Sequence, residues 1–135
     1  MNIVITLPKD LLENIIYGKK QYEMRKCLPK NMRIGVDGFF VIEKGTDNVR
    51  CWCRVDAVQK VFFDYYHAKY FAPRLCVSES YIMEYAFGKN VYLKSTYLWK
   101  IGKVKTFEHL KREELQVFRN PQSFAYTPLS YGESF

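Results

Sequence analysis

The sequence predicts an α+β domain, a small mixed or antiparallel β-barrel with helices on its periphery. Three observations lead there. The 135 residues, 48% apolar and 26% charged, suit one globular domain with a real core rather than a disordered chain. About six segments are rich in β-branched or aromatic residues, and about three repeat at helical spacing. Several of the strand segments follow one another across short turns, which favours antiparallel pairing. No repeat, low-complexity tract or Gly/Ser linker divides the chain, so one domain fills residues 1–135, with its core over 3–127.

The elements follow in order. Ile3, Val4 and Ile5 open a strand. Pro8 suits a first helical turn, Leu11, Leu12, Ile15 and Ile16 recur at helical spacing, and Gly18 is a C-terminal stop, so a helix is expected over 8–17. Residues 21–26 alternate, with Tyr22 and Met24 on one face and Gln21, Glu23 and Arg25 on the other. Residues 39–43 form an apolar strand, Gly45 to Asn48 a turn, and residues 49–58 the returning strand of a hairpin. Residues 60–71 are dense in aromatics and ambiguous in period. Ser78 caps a helix that runs to Phe87 and stops at Gly88. Residues 91–105 read as one long strand, or two broken near Gly102; 109–118 as a short helix; 124–127 as a last strand, with 131–135 a loose tail.

Charge narrows the class. There are 21 Lys and Arg against 14 Asp and Glu, a formal net charge of +7. Residues 1–36 and 89–135 each carry a net +4, whereas 37–88 carry −1. If the two basic ends meet in the fold, they present one positive face to a polyanion; surface lysines that keep the protein soluble are the plain alternative. No apolar run approaches the ~20 residues of a membrane helix, and Pro8, Lys9 and Asp10 come too early for a signal peptide. A cytoplasmic protein without membrane contact is expected. Cys27, Cys51, Cys53 and Cys76 include no Cys-x-x-Cys pair, and His67 and His109 are isolated, so no structural metal or cofactor is expected. The thiols read as reduced and mostly buried.

The segment richest in chemistry is Gly18-Lys19-Lys20-Gln21-Tyr22-Glu23-Met24-Arg25. Gly18 permits the left-handed backbone of a sharp turn. Lys20 can reach a phosphate or act as a base, Glu23 can accept a proton from an amine or hydroxyl or pair with Lys20 or Arg25, and Arg25 offers a planar fork to phosphates or base edges. An exposed loop followed by a salt-bridged strand is the plainer reading of the same residues.

Gly18, Lys20, Glu23 and Arg25 match the Gly-x-Lys-x-x-Glu-x-Arg signature of the ASCH domain, and the chain resembles that family over residues 7–127. The opening helix with Leu12, Ile15 and Ile16, the stretch Ile34-Gly35-Val36-Asp37 before the apolar strand, and the tail Pro121-Gln122-Ser123-Phe124 are similar to the family's as well. The resemblance implies a PUA-like barrel with a cleft beside the signature that holds RNA or a nucleotide. It makes Lys19, Lys20, Tyr22, Glu23, Arg25, Gln122 and Ser123 candidate ligand contacts. One branch of similar proteins deacetylates N4-acetylcytidine with a lysine, a threonine and a glutamate. Lys20 matches that lysine, but Glu23 stands where the threonine would be, and a carboxylate does not replace a hydroxyl in the same role. Were the chain such an enzyme, Lys20 and Glu23 would be its catalytic pair, with Glu79 or Glu84 as a third group. Another branch is ribonucleolytic, although no histidine pair or metal cluster independently suggests RNA cleavage here.

The remaining candidates divide between core and rim. Phe62, Phe63 and Phe71 are expected in the core, and Tyr65, Tyr66 and Tyr70 at a rim where their hydroxyls find partners. Trp52 faces away from Cys51 and Cys53, into the core or as a stacking wall. Lys94, Lys100, Lys103 and Lys105 punctuate the 91–105 segment as a solvated face, of which Lys103 and Lys105 share parity and would track phosphates from one side of an unbroken strand, and His67 reads as a partly exposed neutral imidazole. A binding module for RNA or a modified nucleoside is the first expectation, an amidohydrolase the second, a protein-interaction module the third.

Overall fold

The computed structural model describes residues 2–87 and 95–128. Strand β1 (Asn2–Leu7) leads into helix α1 (Lys9–Ile16), then strand β2 (Tyr22–Arg25), strand β3 (Gly38–Glu43) and the long strand β4 (Asn48–Phe62). Helices α2 (Tyr65–Leu75) and α3 (Glu79–Phe87) follow, then strand β5 (Ser95–Lys111), a 3₁₀ turn (Arg112–Leu115) and strand β6 (Ala125–Thr127). The six strands form one sheet in the order β2-β5-β4-β3-β1-β6, parallel between β1 and β3 and antiparallel elsewhere.

Strand alternation sorts the apolar side chains. Ile3, Ile5, Phe39, Val41, Cys51, Cys53 and Trp99 pack under α1 with Leu12 and Ile15. Val4, Phe40, Ile42 and Trp52 take the opposite face with Leu110, Leu115 and Val117. Both faces of β3 are therefore covered, which explains why its sequence is apolar throughout rather than alternating. Register shifts in the β4–β5 ladder, between Val49 and Cys51, Cys53 and Val55, and Val55 and Ala57, re-aim the strands. Their far ends then serve a separate cluster, where Val61, Phe63 and Leu98 meet Met24 of β2 and Phe71, Leu75 and Ile82 of the helices.

Trp52 is wholly buried, and its indole N–H donates to Asn2 Oδ1 at 3.1 Å, so it is core rather than a stacking wall. The same oxygen accepts the Gly38 N–H at 3.0 Å, so one amide ties β1, β3 and β4 together. Cys51 and Cys53 are buried with their sulfurs 4.0 Å apart, and burial pushes the Cys53 thiol well up. Cys27, in contrast to the expectation, is exposed, and Cys76 is half-buried.

Several expectations are corrected. Among the described residues no ladder joins β2 to β6, so the sheet is open and the hydrogen bonds do not close a barrel. Residues 109–111 continue β5, with Val49 opposite Leu110 and Asn48 opposite Lys111; helical geometry is confined to Arg112–Leu115. Pairing wins because it buries Leu110. The ambiguous aromatic run divides at Asp64, whose carboxylate accepts the His67 N–H at 2.8 Å and caps α2. Phe62, expected inside, is 56% exposed, because alternation at the end of β4 turns Val61 and Phe63 inward instead. Ser78 accepts the Tyr81 N–H at 3.0 Å at the start of α3, as an N-cap does. Strand β5 passes Gly102 unbroken; residues 91–94, with Lys94, and the tail 131–135 lie outside the described residues. No described helix is long and apolar enough to cross a membrane.

Two tests follow from this packing. A Cβ on Gly38 would lie 1.9 Å from the Cys53 carbonyl oxygen, so Gly38→Ala is expected to destabilise the domain by about 2–4 kcal/mol in urea unfolding. The Asp37 carboxylate accepts from Arg33 N at 2.8 Å, Nε at 3.2 Å and Nη2 at 3.0 Å. Burial would raise its pKa, but the hydrogen-bond donors around it, Arg33 foremost among them, outweigh burial and bring it down to about 2 from 3.8. A depressed carboxyl contributes stability above its unfolded pKa and loses it as pH falls through the folded one. The advantage of the native protein over Asp37→Asn is therefore expected to be on the order of 2 kcal/mol near neutrality. It should vanish between about pH 4 and pH 2 in unfolding curves.

Candidate functional site

The turn after α1 begins the site. Gly18 adopts φ +79°, and the backbone N–H groups of Lys19 and Lys20 both donate to Asn14 O at 2.9 Å. This fold-back sends Lys20 inward and Lys19 out to solvent. Helix α2 ends nearby, with Cys76 in a left-handed conformation at φ 58°. The last carbonyls of a helix lack internal partners and carry partial negative charge. Here the Arg74 carbonyl accepts Gln21 N–H at 2.8 Å, and the Leu75 carbonyl accepts Lys20 Nζ at 3.0 Å. Lys20 is thus a side-chain cap for a helix 55 residues away, and it is only 3% exposed.

Strand β2 then places Glu23 and Arg25 on the same face as Lys20. Glu23 Oε1 lies 3.6 Å from Lys20 Nζ and accepts the Met24 N–H at 3.0 Å. Glu23 Oε2 accepts from Arg25 Nη2 at 3.3 Å, and Arg25 Nη1 donates to the Ser123 carbonyl at 3.0 Å. Ammonium, carboxylate and guanidinium therefore form a chain, mostly shielded from water, that runs from the end of α2 to the segment just before β6. The two edges of the open sheet are bridged by side chains here rather than by a ladder.

The chain lies in a cleft of about 410 Å³, within the range of small-ligand pockets. Lys20, Glu23 and Arg25 line it together with Gln122 and Ser123. Tyr22 points the other way, against Phe71 at 5.3 Å between ring centres, as strand alternation requires. Neither Tyr22 nor Lys19 lines the cleft. Glu79 and Glu84 are exposed on α3 and also lie outside it. What α3 contributes is Tyr81 and Tyr85, four residues apart and stacked at 6.3 Å with 17° between their planes. Burial pushes the Tyr85 hydroxyl up to about 12, and Lys26 Nζ sits 4.9 Å from its ring centre. The helical i, i+4 spacing of these tyrosines was visible in the sequence, but nothing there showed which way α3 turns.

The cleft holds two buried polar atoms without a hydrogen-bond partner among the described residues, Thr6 Oγ1 and Arg25 Nε. Such atoms cost free energy in an empty fold and are accounted for when a ligand or water pairs with them. Lys20, as an ammonium, has three N–H bonds. One goes to Leu75 and one faces Glu23, which leaves one for a ligand. The arrangement can therefore present cationic donors and one carboxylate acceptor beside an aromatic wall. Among the described residues no group of three His, Cys, Asp or Glu side chains converges as a metal site.

No family model and no curated protein matches the chain. Solved structures do. The ASCH protein of Zymomonas mobilis superposes with a TM-score of 0.73 at 17% identity, over 93% of this chain and 86% of that one. Serine-to-alanine and tyrosine-to-phenylalanine mutants of that protein each superpose with a TM-score of 0.72 at 15% identity, over 98% of this chain and 92% and 94% of theirs. The chain has the fold of an ASCH domain.

The capping role of Lys20 has a measurable consequence. Lys20→Met leaves the Leu75 carbonyl unpaired and removes one partner of Glu23, and is expected to cost about 2–4 kcal/mol in urea unfolding. Lys19→Met, at an exposed position, is expected to change stability by less than about 0.5 kcal/mol.

Proposed function

We propose that the protein is an ASCH-type binding domain whose cleft holds RNA or a nucleotide. The observation that carries this reading is the shielded chain of Lys20, Glu23 and Arg25 in one cleft that the stacked pair Tyr81 and Tyr85 also lines. Arg25 Nε and the remaining Lys20 N–H suit phosphate or carbonyl oxygens, Glu23 suits an exocyclic amine or a sugar hydroxyl, and the tyrosine wall suits a base face. The net charge of +7 supports an anionic partner.

Catalysis is supported less well. Lys20 is committed to the Leu75 carbonyl and to Glu23, so it serves as a fixed cation rather than a mobile base. The amidohydrolase reading asks for a second carboxylate, and Glu79 and Glu84 lie outside the cleft. His67 pairs with Asp64 on the outside of α2, and His109 is exposed near the end of β5, so no imidazole is at hand for RNA cleavage.

Binding of short single-stranded RNA is expected to weaken about tenfold when salt rises from about 50 to about 200 mM, as two or three phosphates are neutralised. Arg25→Gln is expected to weaken it a further fewfold and to flatten the salt slope. Binding indifferent to salt, measured by fluorescence anisotropy, would sink the reading. Turnover of N4-acetylcytidine that is lost in Lys20→Ala would replace it with the hydrolase.

A further inference from the structure

A second hollow of about 650 Å³ lies beside the cleft and shares Gln122 with it. It is built by the segment between the 3₁₀ turn and β6, which is irregular but firmly held. Gln116 takes a left-handed conformation at φ 59°, and Val117 N–H donates to Arg112 O at 3.2 Å while its side chain is buried. Asn120 donates to the Thr46 carbonyl at 2.8 Å and accepts from Arg112 Nη1 at 2.7 Å. A loop pinned in this way nevertheless leaves Phe118 75% exposed, and Tyr126 of β6 is 45% exposed; both line the hollow. Arg119 stands between them in sequence, exposed and without an acidic partner among the described residues. The Tyr126 hydroxyl accepts the Lys30 backbone N–H at 3.2 Å, which fixes the tip of that ring.

An aromatic side chain held outward on a rigid loop gains nothing for the core. Next to an unpaired guanidinium, and continuous with a cationic cleft, it matches what a single strand needs: π-faces for successive bases and positive charge along the backbone. We propose that the hollow is a second nucleotide subsite, and that a single-stranded RNA runs from the Lys20 cleft across Gln122 onto Phe118, Arg119 and Tyr126. The proposal rests on the cleft reading above and extends it from one nucleotide to at least two. An acidic peptide would satisfy the charges but not the rings.

Uridine 5′-monophosphate and a five-nucleotide oligouridylate serve as probes. The oligonucleotide is expected to bind the unaltered protein at least about tenfold more tightly than the mononucleotide. Phe118→Ala is expected to weaken the oligonucleotide by about tenfold and Arg119→Gln by a fewfold, with mononucleotide affinity unchanged in both; that invariance also shows the variants to be folded. Mononucleotide bound normally, with an oligonucleotide gain absent or insensitive to both substitutions, overturns the second subsite alone. No binding of either probe overturns both readings. Displacement of the oligonucleotide by a penta-aspartate peptide at equal concentration also overturns it, since charge without stacking would then suffice.

Discussion

The arrangement of the site depends on one contact, the Lys20 ammonium against the Leu75 carbonyl at the end of α2. It joins the turn after α1 to a helix far along the chain, and the neighbouring bond from Gln21 N–H to the Arg74 carbonyl runs parallel to it. A buried cation requires a counter-charge, and Glu23 supplies it; a buried carboxylate requires further donors, and Arg25 and the Met24 N–H supply them. Each partner creates the need for the next, until the chain of charges ends at the Ser123 carbonyl at the opposite edge of the sheet.

A core of apolar side chains of similar volume would hold these edges together at least as well, because desolvating ions offsets much of their attraction. The charges are therefore poorly explained as stabilisers alone. Among the described residues Arg25 Nε and Thr6 Oγ1 lack hydrogen-bond partners, and both residues line the cleft that Tyr81 and Tyr85 also line, which fits the preorganised polar surface proposed above. The open sheet matters here. A ladder from β2 to β6 would seal this seam with backbone hydrogen bonds, whereas side-chain bridging leaves a hollow.

Much of the fold was legible because it rests on local periodicity. Helix α1 and its Gly18 stop, the β3–β4 hairpin, the opposed faces of Trp52 and Cys51 and the Ser78 cap all follow from spacing and turn chemistry. The misreadings occurred where two periods competed over few residues. Residues 109–111 have a helix-compatible composition, but pairing of Leu110 with Val49 buries an apolar side chain that a free helix would expose. Phe62 looks like core by type, yet alternation at the end of β4 leaves it outside. In the site, the signature singled out Lys20, Glu23 and Arg25, whereas Lys19 and Tyr22 stood beside them as candidate contacts until the fold-back onto Asn14 placed Lys19 in solvent and Lys20 in the interior, and alternation turned Tyr22 onto Phe71.

By itself the sequence determined the local conformations, the sidedness of the strands and the identity of the charged trio, because each is a property of residues within one turn or one strand of each other. Only the tertiary structure decided that Lys20 is a helix cap, that Gln122 and Ser123 reach the same cleft, and that two tyrosines rather than a glutamate of α3 form its wall. Those outcomes depend on how rigid elements distant in the chain are rotated against one another. That rotation is selected by the packing of Met24, Phe71, Leu75 and Ile82 in a shared cluster, which no short window of residues encodes.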